Sequence, residues 1–353
     1  SDKAHQLADF VPKLEQLTFQ NKLGSMLDKT QRIVKLTKET AAALALSAGE
    51  TKTALRIAEL AKADLATEMV VEMTALQGVM GRYYAEFSGE SEEVAQGIYE
   101  HYLPRTLEDA LPELRSAWAV GIADRLDSIA GLFAVGLAPT GNKDPFALRR
   151  TALGLCQLLI GKGIDFDLRQ GLEQAGALLP VPFIHETLLA CLDFIAGRLK
   201  GLLLDRGIRY DVVDAVLKTQ AHNPARALEA AQALTRWVAS DVWEELLPAY
   251  SRSVRITRDL KENFPVLSEV LVEPEEIALY QGVLKAEAAL TGQNSLDQAL
   301  SQLSGLIVPI NAFFDKVLVM AEDPQLRQSR LGLLQRVVAL LKPYADLSAL
   351  EGF

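Results

Sequence analysis

The chain has 353 residues and a formal net charge of −10, from 36 Lys and Arg against 46 Asp and Glu. Its 49% hydrophobic and 23% charged residues are ordinary for a folded protein, and they exclude wholesale disorder, collagen-like repeats and low-complexity sequence. The mean hydropathy is +0.12, but apolar runs such as AAALALSAG (41–49) fall well short of the ~20 residues that a membrane span needs.

Helical periodicity dominates the chain. Apolar residues recur at three- and four-residue steps over residues 22–46 and 51–73. The same pattern returns in 118–135, 146–160, 183–204 and 226–247. Strict alternation of apolar and polar residues, which is typical of strands, is scarce. The sequence therefore predicts an all-α protein.

Breaks rich in Gly and Pro separate these segments. FSGESEE (87–93) is an acidic turn, in which Ser91 is the predicted N-cap of a helix that begins at Glu92. LAPTGNKDPF (137–146) is the sharpest break, and further breaks lie at 178–183, 262–275 and 290–297. At about 150 residues per domain the length predicts two or three domains. We divide the chain into residues 1–140, a helical connecting section at 141–205 and a C-terminal section at 206–353.

The start of the chain, SDKAHQLADF, has neither an initiator Met nor the basic stretch and apolar core of a signal peptide. We expect a fragment of a longer protein or an altered first residue. Cys156 and Cys191 lie in apolar surroundings, and two thiols are fewer than a disulfide-stapled secreted chain uses. Both are therefore predicted to be buried free thiols, and the protein is predicted to be cytoplasmic.

Common catalytic and cofactor motifs are absent from the sequence. There is no GxxxxGK[ST] phosphate loop, no GxGxxG after a strand, and no CxxC, HExxH or GxSxG. The four histidines are far apart. Among them we single out His101, which lies in YEHYLPR beside two Tyr and an Arg, as a candidate for acid–base chemistry or polar contacts.

Three aspartates lie in apolar helical sequence, where an unpaired charge is costly. Asp64 lies in AELAKADLATEMVVE, and Asp124 and Asp127 are three residues apart on one helix face. One interpretation is a metal site, which the lack of nearby His disfavours. The other is ion pairing, for which the candidate partners are Lys29, Lys62 and Arg125.

A row of cations occurs at three-residue steps in SRSVRITRDLK (251–261). Its members are Arg252, Arg255, Arg258 and Lys261, and further arginines lie at 149, 150, 327, 330 and 336. Such rows are either solvated faces paired with Glu and Asp, or tracks for phosphates. The acidic net charge argues against nonspecific nucleic-acid binding, and it leaves open a shaped RNA that is recognised at local patches.

Several segments together resemble the β subunit of the bacterial two-subunit glycyl-tRNA synthetase. They are LTFQNKLGSMLDKTQRI (17–33), AKADLATEMVVEMTALQGVMGRYYA (61–85), EHYLPR (100–105), ADRLDSIAGLFAVGLAPTGNKDPFALRRTALG (123–154) and FFDKVLVMAEDPQLRQSRLGLLQRV (313–337). The resemblance extends from about residue 17 to the C-terminus. It covers the later part of that subunit, so we expect the family's N-terminal region to be missing here.

For residues 1–140 the resemblance implies an HD-type helical domain, related to metal phosphohydrolases. Enzymes of that fold hold a metal with a His, a His-Asp pair and a later Asp. Here the His-Asp position reads Ala63-Asp64, the later Asp is Asp124, and Lys29 stands in the segment of the first His. The resemblance thus implies a degenerate site without a metal, in a domain that docks RNA or is structural.

The C-terminal section resembles a DALR anticodon-binding domain, a helical bundle. Its characteristic run reads Asp323, Leu326, Arg327, Arg330 and Leu331. The resemblance implies that this section approaches the anticodon arm of a tRNA. Tyr250, Phe264 and Phe314 are candidate platforms on which unpaired bases stack.

The resemblance implies the tRNA-binding part of a glycine–tRNA ligase. Such a chain positions tRNA-Gly for ATP-dependent glycylation by an α subunit in an α₂β₂ assembly. It has no catalytic residue, cofactor, metal or membrane partner of its own, and ATP and Mg²⁺ belong to the α subunit. The candidate phosphate contacts are Arg82, Arg105, Lys143, Arg149, Arg150, Arg252, Arg255, Arg258, Arg327 and Arg330. The alternatives are an HD-type metal-dependent phosphohydrolase and a purely structural scaffold for the α subunit.

Overall fold

A computed structural model describes residues 2–353, except for the side chain of Lys3. In this range the structure is helical apart from two short antiparallel strands, β1 (Thr18–Gln20) and β2 (Gly24–Ser25), and the all-α prediction is confirmed. The chain divides into two compact units. The first comprises the chain up to Leu202 together with His222–Ala225, and the second comprises Leu203–Ala221 and Arg226–Phe353. The division into three sections stays a prediction.

The first unit is built around one buried helix. Its helices are α1 (Met26–Ala43), α2 (Ala48–Leu60), α3 (Glu68–Glu72), α4 (Val79–Phe87), α5 (Glu92–Glu100), α6 (Arg115–Ala134), α7 (Leu148–Gly161), α8 (Leu168–Ala177) and α9 (His185–Asp205), whose end enters the second unit. Helix α6 is buried on nearly all sides and packs against α1, α2, α5, α7 and α8. A helix covered in this way needs apolar or small residues all round, as Ala119, Gly121 and Ala123 illustrate.

Serine N-caps begin several of these helices. Ser25 and Asp28 form a reciprocal capping box at α1, and Ser47 and Glu50 form another at α2. The predicted N-cap Ser91 is confirmed, since its Oγ accepts a hydrogen bond from the backbone N–H of Val94 at 3.3 Å.

Two segments that we expected to be continuous helices are interrupted. Residues 51–73 break after α2, pass through a 3₁₀ turn at Ala63–Ala66 and restart at α3. The break turns Asp64 inward, where its carboxylate accepts from two backbone N–H groups, and Thr67 then caps α3. Residues 226–247 break near Ser240, whose hydroxyl donates to the Trp237 carbonyl and competes with the helical ladder.

The helices of the second unit are α10 (Tyr210–Gln220), α11 (Pro224–Val238), whose first two residues belong to the first unit, α12 (Trp243–Thr257), α13 (Pro274–Ala289), α14 (Leu296–Ser304), α15 (Ile307–Lys316) and α16 (Pro324–Ala339). Helices α12 and α13 each pack against both α15 and α16. The connection between α12 and α13 lies against α16, where the backbone N–H of Phe264 donates to Gln335 Oε1 at 2.8 Å. This approach requires Gly332, because a Cβ there would overlap the Phe264 carbonyl.

Cys156 and Cys191 are free and buried, as predicted, and burial raises the pKa of each thiol to about 12. Among the described residues, no helix combines the length and the apolar character needed to cross a bilayer.

Candidate functional site

A cavity of about 480 Å³ opens in the first unit. Side chains from α1, α6, α7 and the segment after α5 line it, together with Lys62, which follows α2. The charged groups of its described lining are one carboxylate, Asp124, and five cations: Lys29, Lys62, Arg105, Arg125 and Arg150. The structure thus brings two predicted HD positions, Lys29 and Asp124, to one cavity.

Two ammonium groups hold Asp124. Lys62 Nζ donates to Oδ2 at 2.6 Å, and Lys29 Nζ lies 3.2 Å from Oδ1. Burial by itself raises the pKa of Asp124, but the charges of Lys62 and Lys29 outweigh it and hold that pKa far below its ordinary value. The carboxylate is therefore ionised, and a cation contacts each of its oxygens.

Asp127 lies one turn further along α6 and is 1% exposed. It accepts hydrogen bonds from Arg32 Nε at 2.6 Å and from Lys29 Nζ at 2.9 Å. Lys29 also donates to Ser128 Oγ at 2.8 Å, so its ammonium group bridges the two aspartates. The ion-pair interpretation is confirmed for Asp124 and Asp127.

Asp64 is also fully buried, but backbone N–H groups and not a cation hold one of its two oxygens. Its Oδ2 accepts from the N–H groups of Gly78 at 2.6 Å and Gly81 at 3.0 Å. Oδ1 has no hydrogen-bond partner among the described residues. Burial raises the pKa of Asp64 although these N–H groups act to lower it. Asp64 thus fixes the first turn of α4, and neither Lys62 nor Arg125 forms an ion pair with it.

The residues of this cavity do not fit a metal ion. The positions that resemble metal ligands read Lys29, Ala63, Asp64 and Asp124. A metal ion on Asp124 would have to displace two ammonium groups, which repel it. Within residues 2–353, no group of three or more His, Cys, Asp or Glu side chains could hold such an ion.

His101 lines the cavity as a neutral, buried acceptor. Its Nε2 is 3.0 Å from Lys62 Nζ, which can only donate, so Nδ1 carries the hydrogen and donates to the Ile98 carbonyl at 2.5 Å. Burial and the charge of Lys62 hold the pKa of His101 well below 6.5. The polar contact expected of His101 is therefore with Lys62.

Two arginine side chains fix residues 101–105, which form one side of the cavity. Arg125 is not an ion-pair partner of the aspartates, and its guanidinium donates to five backbone carbonyls, those of His101, Tyr102, Leu103, Pro104 and Gly121. Arg105 donates to the Gln77 carbonyl at 2.8 Å and lies 5.0 Å from the Tyr102 ring. The hydroxyl of Tyr102 and Nε of Arg105 are buried without a partner in the described structure.

The predicted phosphate contacts of this unit are dispersed. Arg105 and Arg150 line the cavity, whereas Arg82, Lys143 and Arg149 do not. Arg82 lies 5.0 Å from the Tyr83 ring, Lys143 is exposed in a turn, and Arg149 donates to the Gly141 carbonyl at 2.6 Å. Their roles as phosphate contacts stay predictions.

The predicted basic stripe of the second unit is shorter than expected. Arg252 and Arg255 lie on α12 and Arg258 caps its end, while Lys261 falls beyond the helix. Arg252 lies 4.4 Å from the Phe314 ring and 3.8 Å from Asp315, and Arg258 lies 3.8 Å from Asp259. These pairs are long and exposed, so the three guanidinium groups remain accessible to another partner.

A second cavity, of about 640 Å³, lies in the second unit between α10, α12, α16 and the chain end. Its charged lining is one carboxylate, Asp346, with Lys218, Arg258, Arg336 and Lys342. Tyr250, Phe264 and Phe353 supply aromatic surface. Of the predicted stacking platforms, Tyr250 is only 4% exposed, and Phe314 lies outside this lining against Arg252.

The run that resembles the DALR signature has structural contacts. Asp323 caps α16 by accepting from the N–H groups of Gln325 and Leu326. Arg330 is 6% exposed, pairs with the fully buried Glu276 of α13 and donates to the Leu318 carbonyl at 2.7 Å. A phosphate cannot reach Arg330 while these contacts hold, which disfavours Arg330 as a phosphate contact. Arg327 is half-buried and donates to the Ala321 carbonyl.

Sequence reasoning missed Lys218, Lys342, Asn263 and Phe353, which also line the second cavity. They come from four separate segments of the chain. No spacing along the sequence groups them, because only the packing of α10, α12 and α16 brings these segments together.

Comparison with known proteins gives two family matches. Residues 1–218 match the model described as glycyl-tRNA synthetase beta subunit, and residues 246–347 match the DALR anticodon binding domain. The chain is 40% identical over 362 residues to the glycine–tRNA ligase beta subunit of Moorella thermoacetica, which covers 99% of this chain and 52% of that protein. It is 37% identical to the corresponding subunits of Haemophilus influenzae and Clostridioides difficile, over 99% and 98% of this chain and 51% of each relative.

The chain therefore spans about half the length of the curated relatives it matches. The first match covers every residue that lines the first cavity, and the second covers α13 to α16 and the Glu276–Arg330 pair. On this basis the chain belongs to the glycyl-tRNA synthetase beta subunit family.

Proposed function

We propose that this chain is the tRNA-binding part of a glycyl-tRNA synthetase beta subunit, and that it positions tRNA-Gly for ATP-dependent glycylation by an α subunit. One observation carries the proposal. The part of the second unit that matches the DALR domain carries accessible cations and aromatic rings. Family membership supports the assignment to a glycine–tRNA ligase.

In this proposal the chain contributes binding and orientation. Arg252, Arg255 and Arg258 hold phosphates of the tRNA backbone through charge-assisted hydrogen bonds. An unpaired base enters the second cavity and stacks against Phe264 or Phe353. Holding the tRNA in register removes part of the entropy cost of the transfer step, which is worth several kcal/mol in well-oriented reactions.

The partners follow from the same proposal. The α subunit binds ATP and Mg²⁺ and performs the chemistry in an α₂β₂ assembly, while this chain supplies no cofactor site and acts in the cytoplasm without a membrane partner. The phosphohydrolase alternative is disfavoured by the two lysines on Asp124. The scaffold alternative predicts no tRNA affinity for this chain alone.

The test is binding of the chain to a tRNA-Gly transcript and to a non-cognate tRNA across a salt series. We expect salt-dependent binding that prefers tRNA-Gly. Replacing Arg252, Arg255 and Arg258 together by Gln should weaken it and reduce the log–log salt slope by about 2 to 3, at about 0.7 to 0.9 per lost phosphate contact.

A charge-matched control replaces Arg206, Arg236 and Lys285 by Gln. These three cations are exposed in the second unit and do not line its cavity. The control should keep the affinity and the slope of the unmodified chain. Equal losses in both triple variants would contradict the assignment to α12, and absence of binding to either tRNA would favour the scaffold alternative.

A further inference from the structure

The cavity of the first unit has a charge distribution that the proposed function does not use. We propose that it binds a nucleoside phosphate without a metal ion, with the phosphate on Lys62, Arg105 and Arg150 and the base against Phe19 and Phe146. This proposal does not depend on tRNA binding by the second unit.

The charge balance of the cavity favours an anion. Five cations and one carboxylate line it, and that carboxylate, Asp124, already contacts two of the cations. Adding the neighbouring pair of Arg32 and Asp127 and the buried Asp64 leaves three more cations than carboxylates. Like charges gathered in a partly buried space repel one another, and a bound phosphate relieves that repulsion.

Some hydrogen-bond donors of the cavity lining already have an acceptor, and others have none in the described structure. Lys29 uses its three N–H groups on Asp124, Asp127 and Ser128. Lys62 contacts Asp124 and His101 and lies 4.0 Å from the centroid of the Tyr102 ring, which leaves one N–H without a hydrogen-bond acceptor. Arg105 keeps a buried Nε without a partner, and no ion pair engages the exposed Arg150 in the described chain.

Tyr102 adds a further donor. Its hydroxyl is buried and unpartnered in the described structure, and burial together with the charge of Asp64 raises its pKa well above 10, so the hydroxyl stays protonated. Buried polar groups without partners are uncommon, and two of the residues that line the cavity, Tyr102 and Arg105, each carry one in the described structure.

The remaining lining suits a base. Phe19 and Phe146 are T-shaped neighbours with ring centroids 6.5 Å apart, and both line the cavity. Its volume of about 480 Å³ falls in the range of small-molecule sites. A phosphate with an attached base matches both the cationic and the aromatic parts of the lining.

The cavity is a binding site and not a hydrolytic one. Asp124 is engaged by lysines, and His101 accepts from Lys62, so neither is free to take a proton from water. Lys29 stands in the segment where the resembling fold has its first His, and the charges of Lys29 and Lys62 attract the phosphate directly.

Isothermal titration calorimetry of the full chain with AMP, in EDTA, tests the proposal. We expect saturable binding with a Kd in the millimolar range or below and no formation of adenosine. Arg150→Gln should weaken binding by about tenfold, as expected for one charge-assisted hydrogen bond. Arg105→Gln should weaken AMP binding similarly. If the Arg105→Gln protein does not fold, the Arg150→Gln protein alone tests the proposal, because Arg150 is exposed.

Arg169→Gln is the matched control, because Arg169 is an exposed arginine of the first unit, on α8, that does not line the cavity. It should bind AMP within twofold of the unmodified chain. No saturable heat with AMP, an equal loss with Arg169→Gln, or a requirement for added Mg²⁺ or Mn²⁺ would each overturn the proposal.

A competition experiment distinguishes two ligands for the cavity, a free nucleotide and a nucleotide that belongs to an RNA strand. Single-stranded tetra-adenylate is titrated against bound AMP. Displacement that is weakened by Arg150→Gln assigns the cavity to RNA, and retention of AMP assigns it to a free nucleotide. Either result supports a nucleoside phosphate site.

Discussion

The arginines of this chain form two groups, which only their contacts distinguish. Arg125 and Arg330 are buried and donate to backbone carbonyls or a carboxylate, so they hold the fold together. Arg150 and Arg255 are exposed. A charge count treats all four alike, but only the exposed group can reach a phosphate without losing an internal partner. Charge and position in a family-like segment therefore selected Arg330 together with exposed cations.

His101 gives the first unit a pH-dependent stability. In the folded chain, burial, Lys62 and Arg125 hold the pKa of His101 below 6.5, against the opposing charge of Asp124. The unfolded chain binds a proton near pH 6.5 and the folded chain does not, so stability is full above that pH and falls as the pH is lowered through it.

Urea unfolding at pH 7.5 and pH 5.5 measures this effect. We expect a lower midpoint at the acidic pH, and a smaller difference between the two midpoints in His101→Asn, whatever the absolute stability of that variant. An unchanged difference in His101→Asn would show that other groups cause the pH dependence.

At the scale of elements, hydrophobic periodicity located the helices and missed their interruptions. The apolar pattern of residues 51–73 and of residues 226–247 continues across the breaks, because buried apolar residues lie on both sides of each break. The breaks are decided by polar groups. Asp64 satisfies the backbone at the start of α4, and the Ser240 hydroxyl bonds to a backbone carbonyl.

The contact between α16 and the α12–α13 connection depends on one glycine. Gly332→Ala would place a Cβ against the Phe264 carbonyl, so the connection must shift, and hydrogen bonds to Gln335 and Ser329 would be strained. We expect a loss of about 1–3 kcal/mol of unfolding free energy, measured by urea unfolding.

Gly201→Ala is the control for this substitution. Gly201 lies inside α9, and nothing lies within 4 Å of an added Cβ. There the alanine should stabilise the helix by about 0.5–1 kcal/mol. A loss of stability at Gly201 as large as that at Gly332 would contradict the steric explanation.

At the scale of the whole molecule, an acidic chain carries two cation-lined cavities. The net charge of −10 is spread over 353 residues, whereas the described linings of the two cavities each hold one carboxylate among four or five cations. Phosphate binding responds to the local field, so an acidic total is compatible with it. Each unit also has its own buried core, so we expect a destabilising substitution in one unit to leave the other unit folded.

Arg330→Met tests that separation. The substitution leaves Glu276 buried without its cation, and removing one partner of a buried pair costs about 3–5 kcal/mol. In hydrogen exchange, amides of α13, α15 and α16 should lose protection, while those of α1 and α6 keep it. Arg327→Met, which removes one carbonyl hydrogen bond from a half-buried side chain, should leave both units protected. Loss of protection in α1 and α6 would show instead that the units unfold together.

The helical class, the buried cysteines, the Ser91 cap and the family resemblance could all be predicted from the sequence. Periodicity, caps and long motifs are local properties of the chain. The sequence also identified Lys29 and Lys62 as candidate partners for the aspartates of α6. The folded arrangement was needed to show that Asp64 bonds to backbone, that Arg330 is internal, and that cations from distant segments line two cavities. Those outcomes depend on packing between elements far apart in the chain, where burial sets both the cost of an unpaired charge and the partner that removes it.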